Sequence, residues 1–109
     1  MNEFINAGKK VTTTSQDLFV CPVDTKAVVH TLFFAATTDS NAFVTVEVYD
    51  FSENTTFTIT KNMEVLADFT SSIDKPINLE GRDSIRVKAN GNNLVDAFAS
   101  ILHIIPASL

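Results

Sequence analysis

The chain has no tryptophan, one cysteine, two histidines, three glycines and three prolines among its 109 residues. Each shortage removes a class of protein. With Cys21 as the sole cysteine no internal disulfide can form, which excludes a scaffold stapled by them. His30, His103 and Cys21 lie far apart, and a zinc site needs three or four ligands. Without tryptophan, and with Tyr49 as the sole tyrosine, stacking platforms for a sugar are scarce. Basic residues are outnumbered, eight Lys and Arg against thirteen Asp and Glu, for a net charge of −5. That balance argues against a nucleic-acid groove and against an anionic membrane surface. No apolar run reaches transmembrane length, and Met1-Asn2-Glu3-Phe4-Ile5-Asn6 lacks the basic and apolar regions of a signal peptide. Synthesis and folding in a reducing cytosol are expected.

What is present favours strands. Hydrophobic residues make up 45% of the chain, nine of them Phe, enough to fill one core without staples. The stretch from Gly81 to Ile105 reads as two strands joined by a tight turn. Ser84-Ile85-Arg86-Val87-Lys88-Ala89 alternates polar and apolar residues, and Asn90-Gly91-Asn92-Asn93 has turn chemistry. Val95 to Ile105 returns as a long strand, largely apolar on both faces. Lys26 to Thr38 is similar, with Val28, His30, Leu32, Phe34 and Ala36 on one face and Ala27, Val29, Thr31, Phe33 and Ala35 on the other. Ala42 to Phe51 is the cleanest alternation, Val44, Val46 and Val48 against Thr45, Glu47 and Tyr49. Thr55 to Thr60 is expected to turn Phe57 and Ile59 inward. Met63 to Phe69 reads as a strand followed by a loop at Thr70-Ser71-Ser72, and residues 1–10 as an N-terminal arm.

Seven to nine strands with turn signals at roughly ten-residue spacing predict an all-β chain. The architecture expected is an antiparallel β-sandwich, jelly-roll-like or immunoglobulin-like, formed by a single domain over residues 11–109.

No catalytic set can be assembled. Glu47 and Asp50 fall on opposite faces of their strand, and no serine–histidine–aspartate or glycine-rich phosphate motif is present. Asp39-Ser40-Asn41 and the Asn90–Asn93 turn lack calcium-loop spacing. No enzyme activity, cofactor or metal is expected. Interaction chemistry stands out instead. A two-layer sandwich has one inner face per sheet, so two strands apolar on both faces leave an extra set to be covered. Phe33, Phe98, Leu102 and Ile104, with Phe4 and Ile5 on the arm, are the candidate assembly contacts, and they predict a homo-oligomer.

The run Phe19-Val20-Cys21-Pro22-Val23-Asp24-Thr25-Lys26-Ala27-Val28-Val29-His30-Thr31-Leu32 resembles the opening of many small virion proteins of tailed bacteriophages. In those an aromatic-x-Val-Pro-Ala-Gly-Lys-type entry leads into a long strand. Gly81-Arg82-Asp83-Ser84-Ile85-Arg86-Val87-Lys88-Ala89, with the apolar strand ending near Ile104, is similar to their closing hairpin. The likeness runs from about Leu18 to Ile105, with Cys21 and Val23-Asp24 departing from the usual residues. It implies a structural virion component made in the host cytoplasm. A capsid decoration (cement) protein bound to the major capsid protein is implied first, as a dimer or trimer. A neck, tail-fibre or baseplate component is the alternative, and a non-enzymatic carbohydrate-binding sandwich is the alternative outside the virion.

Overall fold

Alternation of apolar and polar residues becomes nine β-strands in the computed structural model, which describes residues 2–106. They are β1 (Asn2–Lys10), β2 (Gln16–Val20), β3 (Lys26–Ala36), β4 (Ala42–Asp50), β5 (Thr55–Val65), β6 (Thr70–Ile73), β7 (Ile77–Glu80), β8 (Ser84–Ala89) and β9 (Val95–Ile104). They form an antiparallel β-sandwich. One sheet has the order β1-β9-β3-β6, with β7 also on β3, and the other the order β2-β8-β4-β5. Leu32, Phe34, Val95 and Ile101 from the first sheet and Val44, Val46, Ile85 and Val87 from the second are buried in one core cluster.

A bulge decides which residues of β3 reach that core. Its register on β9 shifts between Val29 and Thr31. Strict alternation would put Val29 and Phe34 on opposite faces. The extra residue resets the period, so Ala27, Val29, Leu32 and Phe34 are all buried and Phe33 is exposed. The two-faced apolar character of this strand is therefore largely a change of face along its length. β5 carries two such shifts opposite Val44–Glu47 of β4, with Asn62 at φ 54° in the first of them. The Asn62 N–H donates to Thr45 Oγ1 at 3.2 Å.

Three local expectations are corrected. Ser84–Ala89 and Val95–Ile104 are not a hairpin: β8 pairs with β2 and β4, and β9 with β1 and β3. The Asn90–Asn93 segment crosses between sheets and uses its amides as acceptors, Asn90 Oδ1 for the Phe43 N–H at 2.9 Å and Asn92 Oδ1 for the Thr13 N–H at 3.0 Å. Thr70-Ser71-Ser72 is not loop but most of β6, paired with Phe33–Ala35. The stretch expected as an arm is, from Asn2 on, an edge strand paired residue for residue with β9. Ile5 and Ala7 on its inner side, packed on the core, suffice to hold an edge.

One buried carboxylate ties the turns at the open end. The Phe51 N–H donates to Asp83 Oδ1 at 3.0 Å and the Glu80 N–H to Oδ2 at 2.9 Å. The Asp83 carbonyl accepts the Cys21 N–H at 2.8 Å. Hydrogen bonds to a charged group are worth about 1.5–3 kcal/mol each, and losing one partner strands the other. Asp83→Ala is therefore expected to cost about 3 kcal/mol in urea unfolding, with Asp83→Asn losing roughly half of that.

Cys21 is buried, and burial pushes its thiol above the ordinary value of 9.0, with Asp83 adding to the rise against the opposing Thr25 hydrogen bond. Below that value the thiol is neutral in both states. As pH rises past it, the unfolded chain ionises first and stability falls. The parent is expected to lose stability relative to Cys21→Ala between about pH 8 and about pH 10, measured by denaturant midpoints.

Candidate assembly surface

The outer faces of the two sheets differ in kind. On the β8 sheet, Arg86 Nε donates to Asp17 Oδ1 at 2.9 Å, and its guanidinium lies 4.6 Å from the centre of the Tyr49 ring. Glu47 is opposite Arg86 and Thr58, and Lys88 opposite Thr45. This is a solvated face.

The outer face of the β9 sheet carries exposed large apolar residues in rows. Pairing across β1, β9 and β3 lays out the rows Gly8–Phe98–Phe33, Asn6–Ser100–Thr31, Phe4–Leu102–Val28 and Asn2–Ile104–Lys26, so a polar row separates the two that carry phenylalanine. Phe4 is 80% exposed, Phe98 46% and Phe33 41%. Leu102 and Val28, in the Phe4 row, and Ile104, in the next, are half-buried. The Phe4 ring sits 6.3 Å from the His30 ring, which follows Val28 on this side of β3. Gly8 keeps its row flat, since a Cβ there would lie 3.3 Å from Phe98 Cδ1. Lys10 Nζ and Asp96 Oδ1, 3.2 Å apart, border the patch.

Five of the six residues singled out from sequence, Phe4, Phe33, Phe98, Leu102 and Ile104, thus share one surface. Ile5 does not. It pairs with Ile101 on the inner side and packs on the core. His103 also faces inward, between Glu3 Oε1 at 3.1 Å and Thr25 Oγ1 at 3.0 Å.

Sequence reasoning missed a second exposed set. Phe57 and Ile59 were expected to be buried, yet they are 52% and 41% exposed. They lie on the inner side, Phe57 opposite Val48, but the short strand β7 does not cover them. They line a cleft of about 650 Å³ with Ile77 and Leu79. A second cleft, of about 540 Å³, lies among Val23, Asp24, Glu80, Arg82 and Pro106. Neither contains a histidine or Cys21. Among the described residues no group of three or more His, Cys, Asp or Glu could hold a metal ion. Nor is any helix among them long and apolar enough to cross a membrane.

No family model and no curated protein matches the chain. Solved structures share its fold. A chain from Bacillus endospore appendages, a family of disulfide-linked pili, superposes with a TM-score of 0.59 at 9% identity, over 98% of this chain and 88% of that one. A chain of the acid-stable capsid of Helicobacter pylori bacteriophage KHP30 gives 0.57 at 14% identity, over 99% and 90%. The Drosophila NLP core, solved for its pentamer formation and histone binding, gives 0.59 at 14% identity, over 99% and 100%. At these identities the likeness is one of fold.

The two sides of β1 give a direct check. Phe4→Thr and Phe33→Thr keep strand-prone chemistry on the outer face and are expected to change stability by only about 0.5 kcal/mol while lowering the binding of a hydrophobic dye. Ile5→Ala is expected to cost about 1–2 kcal/mol and leave dye binding to the native state unchanged.

Proposed function

We propose that this chain is a non-enzymatic structural subunit of a virion, and within it a decoration protein that clasps the major capsid protein on the assembled head of a tailed phage. The observation that carries this reading is the set of exposed apolar rows on the outer face of the β9 sheet, on either side of the Asn6–Ser100–Thr31 row, set against a mainly polar and charged outer face on the β8 sheet. Exposed apolar patches mark an interaction site, and a rigid sheet presents them without ordering cost.

Other features support the reading. The orders β1-β9-β3-β6 and β2-β8-β4-β5 support a jelly-roll reading of the sandwich, an architecture used by viral capsid domains. One of the chains that share the fold belongs to a phage capsid, another to pili, and a third to a protein solved for its pentamer formation. Jelly rolls also include lectins. The aromatics of this surface are phenylalanines on a flat sheet, which lack the polar handle a sugar platform uses.

A decoration protein acts by mass action. It binds the assembled shell and not its separated parts, so it stabilises the shell. Many copies, as dimers or trimers on symmetry axes, add avidity. The net charge of −5 favours protein partners over nucleic acid or membrane.

Gold-labelled antibody on purified particles tests the reading. Label over the whole head is expected, and adding purified protein back to stripped heads should restore their resistance to heat. Label confined to the neck or tail would move the protein to those parts of the virion. Particles without label would overturn the virion reading.

A further inference from the structure

The sandwich has four lateral edges, and three are interrupted. β2 spans five residues with a register shift between Asp17 and Phe19. β5 carries the shifts opposite β4. β6 and β7 are four-residue pieces sharing β3. Bulges and short strands are the usual guards against edge-to-edge pairing. β1 has neither. It runs nine residues on β9 with no register shift and contains no proline, and among the described residues β9 is its sole strand partner.

We propose that β1 pairs antiparallel with β1 of a second copy, joining the two β9 sheets across a two-fold axis at Asn6. The strand's own sequence selects this register. Inner and outer faces match only if paired residue numbers sum to an even value. A sum of twelve is the value that pairs all nine residues. It sets Glu3 against Lys9 of the second copy at both ends of the ribbon, both on the inner side. It sets Asn2 against Lys10, Ile5 against Ala7 and Asn6 against Asn6. It also sets Phe4, the most exposed large apolar residue, against Gly8 of the second copy. The ring then extends the Gly8–Phe98–Phe33 row of its partner, an aromatic covering an edge glycine. A sum of ten leaves Lys9 and Lys10 unpaired, and a sum of fourteen sets Ile5 against Lys9. The pairing spans about 30 Å and adds about eight to ten backbone hydrogen bonds.

This pairing deepens the self-association within the virion reading, but it is tested on purified protein, so the two can fail separately. Particles without label leave the pairing standing, and a monomer leaves the virion reading standing. Sedimentation velocity on the parent is expected to show a dimer. Lys9→Glu sets two acidic side chains together at each end, and Glu3→Lys two basic ones. Each variant alone should dissociate about tenfold more readily, two cross-strand pairs having changed sign. Mixing the two variants restores both pairs and should return the dimer. Glu3 also meets His103, so a second readout leaves it intact. Asn6→Cys places two thiols across the two-fold axis, within disulfide reach of each other. It should give a covalent dimer on mild oxidation, while Asn2→Cys, opposite Lys10, should not. A parent that is monomeric at every concentration overturns the proposal. So does a trimer or larger ring, or a dimer indifferent to the charge variants and not cross-linked at position 6.

Discussion

Two sheets make one core only if each strand keeps its apolar residues on the inner side along its whole length. A pleated strand does this by alternation, and β3 is too long for its sequence to alternate without interruption. The bulge at His30 is the device that rescues it. Before the bulge Ala27 and Val29 face in, and after it Leu32 and Phe34 do. Without the shift Leu32 and Phe34 would face solvent and the largest buried side chain of the core would be lost. β9 lies between β1 and β3 and needs no such correction, because Val95, Ala97, Ala99 and Ile101 alternate cleanly inward. Its two small residues leave room for Phe34, which pairs with Ala97 across the sheet.

The same alternation fixes what lies outside. Once the inner positions are filled, the outer positions of β9 and β3 receive what remains, and here that includes Phe98, Leu102, Ile104 and Phe33. On the β8 sheet the remaining residues are mostly polar or charged, Asp17, Arg86, Lys88, Glu47 and Tyr49, with Phe43 at one end. The asymmetry is thus written in the primary structure. It is not a packing defect, because each sheet has its inner face satisfied and no buried side-chain polar atom of the described residues lacks a partner. A lone soluble sandwich has no physical need for phenylalanines on a solvated face.

Period-two reasoning recovered the strands well, since the alternation is local and each run ends at recognisable turn chemistry. Five of the six residues proposed as contacts lie on one outer face for the same reason. Alternation is no guide where the answer depends on distant parts of the chain. The Asn90–Asn93 segment looks like a hairpin turn, yet nothing local says that β8 and β9 choose different sheets. Residues 2–10 look too polar for a strand, but β9 supplies the complementary edge and Ile5 needs only one covered side. Phe57 and Ile59 face inward as expected, and they remain exposed because β7 is short. Bulges are the hardest to read, because one inserted residue leaves composition unchanged and inverts every assignment beyond it.

Edges complete the argument. A sandwich leaves backbone donors and acceptors along the margins of each sheet, and a chain at high local concentration must guard them or use them. Here the guards are placed unevenly. The β8 sheet is interrupted on both sides, at the bulges of β2 and β5, and the β9 sheet on the side of β6 and β7. The remaining margin is straight and carries Glu3 near one end and Lys9 and Lys10 at the other, a distribution that opposes parallel pairing and favours antiparallel pairing with itself. Lysine on an edge ordinarily repels a neighbour. When the opposite end of the same strand supplies the counter-charge, it selects one neighbour in one register instead. The outer face adjoins that margin, so two copies joined there would present one surface of twice the width, with the phenylalanine rows running across the junction on either side of the Asn6 row.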